Sequence, residues 1–283
     1  MILTVDCGNT NIVMTLFSED GGAVLASWRL RTLPLADADR LAHSVTEQIA
    51  GLENTSVLQQ VVVATVVPGA ADSLHEMALL LTQKPPMMLS DPDISLPLEI
   101  DVLSPHEVGE DRLVNVAGLD ADTSLPCLII DFGTATTIDL VRASETATGL
   151  PIYAGGIITP GVHRSVEALV AAAAKLEPIE IAEFDSTLPV LGRNTDEAMK
   201  SGILWGYVCL INGLIDKLEV SQGIRCDAVA TGGLAPVFAP HIPKITKIDS
   251  NNRIINLGVN LCRQSLKNKY LENLTVTRGP LNL

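Results

Sequence analysis

One local pattern, met twice, constrains this chain more than any other feature. Residues 128–140 read LIIDFGTATTIDL. An apolar run of strand composition ends in Asp131, Gly133 opens a turn crowded with the hydroxyls of Thr134, Thr136 and Thr137, and a second apolar run follows from Ile138. Residues 1–16 read MILTVDCGNTNIVMTL, with Asp6, Gly8, Asn9 and Thr10 in the corresponding places. Taken singly, strand, Asp, Gly and strand is also what an ordinary hairpin looks like. Its return in the same context, followed each time by a similar run of elements, points to two related halves. The chemistry of such a turn is specific. The glycine lets the backbone approach a ligand closely, the turn N–H groups and hydroxyls can donate to phosphate oxygens, and the carboxylate at the strand tip can hold a cation or orient water.

The rest of the chain supplies a frame for these turns. Strands are expected at 13–17 and 24–30, then an amphipathic helix over 35–50 with Leu41, Val45 and Ile49 on one face. A buried strand at 61–64, a helix at 70–81 and a strand at 87–89 complete the first half. The second half follows the same outline. A strand at 153–160, an Ala-rich helix at 166–175, a loop over 178–191 and a long helix from Gly192-Arg193-Asn194-Thr195 to about Glu219 are followed by a strand ending in Thr231-Gly232-Gly233. A strand at 244–249 and a helix at 253–266 come last. The expected class is therefore α/β, with halves at 1–119 and 120–283 and functional loops at the strand tips. Gly202, Gly206 and Gly213 disfavour helix where they stand, which implies close packing by a neighbouring helix or by a second subunit.

Charge narrows the partners. A formal charge of −14 removes long-range attraction to nucleic acid or to an anionic membrane, so neither is expected as a partner, and a small anion would need a local positive pocket. The five cysteines are an odd number without a C-x-x-C pair, which indicates neither a disulfide framework nor zinc and suits a reducing cytoplasm. No leader and no ordinary membrane-spanning run are expected.

Residues 104–119, SPHEVGEDRLVNVAGL, carry the remaining signal. A helix is expected to start near Gly109, with Asp111 and Arg112 in its first turn. Asp111 there either complements the helix dipole or takes part in chemistry. Arg112 gains nothing from the positive end of a helix, so its position suggests an anionic partner. His106 and His163 read as loop histidines and Cys7 as a small core hydrophobe. No Walker A, protein-kinase H-R-D, H-E-x-x-H or G-x-S-x-G sequence occurs. Two Asp–Gly turns and a later T-G-G turn suit a nucleotide held in a cleft between two halves.

The ordered series DCGNTN (6–11), GEDR (109–112), DFGTATTID (131–139), GGIITPG (155–161), GRNTDEA (192–198) and TGG (231–233) resembles the type III pantothenate kinases, which belong with the acetate and sugar kinases in the actin-like ATPase superfamily. That resemblance implies two duplicated ribonuclease H-like halves, each with a mixed five-stranded sheet and helices, and ATP-dependent phosphorylation of pantothenate as the first step of coenzyme A biosynthesis. It implies that ATP is held by Asp6, Cys7, Gly8, Asn9, Thr10, Asn11, Ile12 and Val13, together with Thr134. Pantothenate would be held by Gly109, Glu110, Asp111, Arg112 and Thr195, with Asp111 accepting the proton. Asp131 would bind a monovalent cation, K+ or NH4+, Mg2+ would accompany the phosphates, and the enzyme would be a cytoplasmic homodimer. Glu110 stands where the family has a small residue, and 98–106 contains none of the aromatic residues found there in some members. A non-catalytic nucleotide-binding regulator and another small-molecule kinase of the same superfamily are the alternatives.

Overall fold

Strands whose residues are buried on alternate sides must be covered on both faces, and the central strands here are of that kind. The computed structural model describes residues 1–249 apart from 20–22, 54–56, 92, 93, 95, 121, 147, 148, 174, 182, 183, 185 and 186. These residues form two compact units. The first comprises Met1–Leu96 with Gly109–Gly118. The second comprises Pro97–Val108 with 119–249.

In the first unit, β1 (Ile2–Cys7) and β2 (Asn11–Phe17) form a hairpin in register from Ile2↔Phe17 to Cys7↔Ile12. β3 (Val24–Arg31) pairs outside β2, while β4 (Gln60–Thr65) runs parallel to β1 and the two-residue β5 (Met87–Met88) runs parallel to β4. The sheet order is β3-β2-β1-β4-β5. Leu3, Val5 and Cys7 face one way and pack with Leu41 and Val45 of α1 (Ala38–Ala50) and with Leu74 and Met77 of α2 (Ala71–Thr82). Ile2, Val62 and Ala64 face the other way and pack with Val114 of α3 (Glu110–Ala117). Asp37 caps α1 by accepting the Arg40 N–H at 2.8 Å.

The second unit repeats that order. β7 (Cys127–Phe132), β8 (Ala135–Ala143) and β9 (Pro151–Pro160) form an antiparallel meander, and β10 (Asp227–Thr231) lies parallel to β7 with β11 (Ile245–Ile248) outside it. The order β11-β10-β7-β8-β9-β6 becomes that of the first sheet, read from the other edge, once β6 (Glu99–Ile100) is set aside. β6 is a sixth strand beyond the expected five. It pairs parallel with β9 through Glu99↔Ile152 and Ile100↔Tyr153, and two residues carry no periodicity for a sequence to reveal.

Three helices complete the unit: α4 (Val162–Ala172), α5 (Thr195–Gln222) and the single turn α6 (Ala235–Phe238). α4 starts four residues before its expected N-terminus, because Gly161 ends β9 and starts the helix at once. The core joins Leu128 and Ile130 of β7 to Leu204, Ile211 and Ile215 of α5 and to Phe238. Among the described residues, α5 is the one helix long and apolar enough to cross a membrane. Its buried side, from Met199 through Ile215, packs in this core. A Cβ at Gly202, Gly206 or Gly213 would meet nothing within 4 Å, so among the described residues no helix packs closely there. The helix expected at 253–266 lies outside the described residues.

Candidate active site

The first Asp–Gly turn joins β1 to β2, where Gly8 N–H donates to the Asn11 carbonyl at 3.0 Å. It is braced from β3. The buried Thr32 donates its hydroxyl to the Gly8 carbonyl at 2.6 Å, and its N–H donates to the Thr10 carbonyl at 3.1 Å. Asn9 and Thr10 are exposed, and Asp6, Gly8, Asn11 and Val13 are half-buried. Asp6 and Val13 are cross-strand partners. Cys7 and Ile12 are fully buried in the core, so only their main chain is available to a ligand. Burial raises the pKa of the Cys7 thiol, a hydrogen bond with the Thr65 side chain opposes the rise, and the Asp6 charge adds to it. Cys7 is thus a small hydrophobe, as expected of it.

The GEDR stretch belongs to the same unit. Gly109 is the N-cap of α3, and a Cβ there would lie 2.5 Å from Asp111 Oδ1. The glycine therefore leaves room for the Asp111 carboxylate to fold back over the helix start, where Oδ1 accepts the Arg112 N–H at 2.9 Å. Asp111 is exposed and Arg112 half-buried. Glu110 is half-buried and turned toward β4, where its carboxyl accepts the N–H of Thr65. Thr65 is in turn the register partner of Cys7. One strand end thus connects the first Asp–Gly turn to the first turn of α3.

In the second unit, Asp131 is the penultimate residue of β7, between Thr137 of β8 and Thr231 of β10. The Gly232 backbone, at φ +88°, lies against it, and a side chain there would strike the Asp131 carboxylate and come within 2.7 Å of the Phe132 carbonyl oxygen. The T-G-G turn and the second Asp–Gly turn therefore form one structure. Gly161, the N-cap of α4, presses on the same turn: a Cβ would overlap the Thr134 carbonyl oxygen and lie 2.8 Å from the Gly133 oxygen. The positive end of α4 thereby meets the loop carrying the exposed Thr134. Thr195 is the exposed first residue of α5, after an N-cap in which Asn194 accepts the Glu197 N–H at 2.8 Å and Glu197 accepts that of Arg193 at 2.8 Å.

The donor sets fit the groups that the sequence implies. Asp131, beside main-chain carbonyls and threonines, suits a weakly hydrated monovalent ion, and Gly133 and Gly232 place no side chain of their own against its carboxylate. Among the described residues, no three His, Cys, Asp or Glu side chains converge on one point. Mg2+ needs no such cage, since one carboxylate and substrate phosphates suffice. Neither Thr32 nor Thr65 carries a signal in the sequence. Each is a lone threonine at or just beyond a strand end, and only the strand pairing gives it a role.

Comparison with known proteins gives this geometry a family. Residues 2–217 match the model of the family described as type III pantothenate kinase. A type III pantothenate kinase of Rhizorhabdus wittichii is 40% identical over 261 residues, covering 92% of this chain and 96% of the relative. One from Zymomonas mobilis is 39% identical over 271 residues, covering 95% of each. Among solved structures, a Campylobacter jejuni protein described as a Baf family transcriptional activator superposes with a TM-score of 0.54 at 16% identity, covering 94% of this chain and 98% of its own. The activator of 2-hydroxyisocaproyl-CoA dehydratase from Clostridium difficile, with bound ADPNP, gives 0.51 at 12% identity over 100% and 99%. Those two likenesses show the actin-like fold alone. With residues 2–217 of this chain matched by the family model and relatives aligned nearly end to end, the chain belongs to the type III pantothenate kinase family.

Proposed function

We propose that this chain transfers the γ-phosphoryl group of ATP to pantothenate, giving 4′-phosphopantothenate in the first step of coenzyme A biosynthesis. The observation that carries the reading is the match to the family over 2–217, a span that holds both Asp–Gly turns and the GEDR helix start. Phosphoryl transfer asks the protein for positioning and charge stabilisation more than for covalent chemistry, and hydrogen-bonding turns at strand tips suit that demand.

The first turn, from Asp6 to Val13, and Thr134 hold ATP, with Cys7 and Ile12 contributing main-chain groups only. Gly109, Glu110, Asp111, Arg112 and Thr195 hold pantothenate, Glu110 through its main chain only, since its carboxyl is turned to β4. Arg112 pairs with its carboxylate, and Asp111 accepts the primary hydroxyl proton as the new bond forms. Asp131 holds K+ or NH4+, and Mg2+ is held beside the phosphates by carboxylates such as Asp6 through water. When bound, these ions neutralise charge on the transferring group. Two copies of the chain, each built of halves 1–119 and 120–283, form a cytoplasmic homodimer through the open face of α5.

The test is product formation by the purified protein with ATP and, separately, pantothenate, acetate, glycerol and simple sugars, in potassium and in sodium buffer. Phosphorylation of pantothenate alone, dependent on potassium, is expected. Turnover of acetate or a sugar in its place would reassign the substrate, and equal rates in the two buffers would remove the cation from Asp131.

A further inference from the structure

The end of β4 leaves one backbone donor to account for. β4 pairs with β1 in parallel, and the Val66 N–H donates to the Cys7 carbonyl at 3.2 Å. Successive N–H groups on a strand alternate in direction, so that of Thr65 points away from β1 toward β5. β5, however, has ended by that level. Its pairs are Val62↔Met87 and Val63↔Met88, and the last bond is from Leu89 N–H to the Val63 carbonyl at 2.9 Å. The missing acceptor is supplied from another element, because the Glu110 carboxyl takes the Thr65 N–H.

Its oxygen Oε2 is buried and makes no hydrogen bond with a described residue. Burial raises the Glu110 pKa, the Thr65 N–H opposes the rise, and the carboxylates of Asp111 and Asp91 add to it. Left alone, a half-buried carboxyl between two like charges costs stability. Here it fastens the first turn of α3 to a strand end whose other neighbour, Cys7, lies in the first Asp–Gly turn.

We propose that Glu110 is a positioning residue for the transfer, tying the first turn of α3, and Asp111 with it, to the tip of β4. The proposal rests on the reading of Asp111 as proton acceptor. Misplacing such a group by about 1 Å can cost about 100-fold in rate. The effect of Glu110 should therefore appear in kcat, through Asp111, rather than in ATP affinity.

The test uses full-length Glu110→Ala, Glu110→Gln, Asp111→Asn and the double variant Glu110→Ala/Asp111→Asn, with kcat, both KM values and melting temperature measured for each. Gln is the informative replacement: its amide carbonyl can accept the Thr65 N–H, and no bond to a described residue is lost at Oε2. Glu110→Ala should lower kcat about tenfold or more with the KM for ATP little changed, and Glu110→Gln should recover most of that loss. Adding Glu110→Ala to Asp111→Asn should cost little further, because the two act through one group. A fast Glu110→Ala enzyme, a Gln variant as slow as the Ala variant, or multiplicative losses would overturn the proposal while leaving the Asp111 reading in place. An Asp111→Asn variant with near-wild-type turnover would overturn the Asp111 reading itself.

Discussion

Glu110 shows at the residue scale how environment changes what a side chain does. A surface glutamate would be ionised at neutral pH and contribute nothing that depended on folding. At this position burial, Asp111 and Asp91 raise the pKa, against the opposing Thr65 N–H, and shift the balance toward the protonated form. The linkage has a definite sign. Between the ordinary glutamate pKa and the raised folded value, the folded state binds more protons than the unfolded state, so the unfolding free energy falls as pH rises through that window. Urea unfolding from pH 4 upward should show a declining contribution from this site, and Glu110→Gln should flatten that part of the curve. An unchanged slope in the Gln variant would mean that Glu110 titrates normally in the folded protein. The residue also explains part of the site's visibility: Asp111 and Arg112 are legible in GEDR as groups at a helix start, but the strand end that takes up Glu110 is not.

At the scale of elements, the second Asp–Gly turn depends on a helix of one turn. α6 is too short to be stable alone, yet Phe238 at its end is fully buried and stacks on Phe132 with ring centroids 5.3 Å apart and planes 8° from parallel. Phe132 lies between Asp131 and Gly133, and its carbonyl accepts the Leu234 N–H at the start of the same turn. The stacked pair thus holds the T-G-G turn against Asp131. Phe238→Ala should cost about 3–5 kcal/mol in unfolding free energy. It should also raise the potassium concentration needed for half-maximal activity, because the turn beside Asp131 loses its anchor. Chemical denaturation together with a potassium titration checks both parts. A stability loss with an unaltered potassium requirement would separate the core role of Phe238 from the site.

At the scale of the whole molecule, the open face of α5 is the feature that the described residues of one chain do not explain. Gly202, Gly206, Cys209, Leu210 and Gly213 are all exposed on it, and the glycines have open space where side chains would stand. Within one chain a larger residue there should be harmless, since leaving glycine improves helix propensity by up to about 1 kcal/mol. Against a second subunit seated on this face, the same residue would overpack an interface and cost about 1–3 kcal/mol or more. Gly206→Leu should therefore lower the dimer fraction in light scattering while leaving the fold, by circular dichroism, intact. A wild-type monomer with full activity at micromolar concentration would remove the second subunit from the proposed function.

The duplicated turns, the α/β class and the succession of strands and helices along the first half could be read from residue type and spacing, because apolar periodicity and Asp–Gly punctuation are local properties. The motif series likewise carried the family. What the chain could not disclose locally was anything that depends on pairing across distance. β6 has too few residues to show a period, and the start of α4 is moved forward by Gly161, whose place against Thr134 is a tertiary contact. Thr32 and Thr65 acquire roles only because strand register sets them beside Gly8, Thr10 and Cys7. The glycines of α5 announced close packing in sequence, but only the folded chain shows that no helix of its own supplies it among the described residues. Local patterning decides which elements form, whereas hydrogen-bonding groups left over at strand ends and helix starts find partners only once the sheet is assembled.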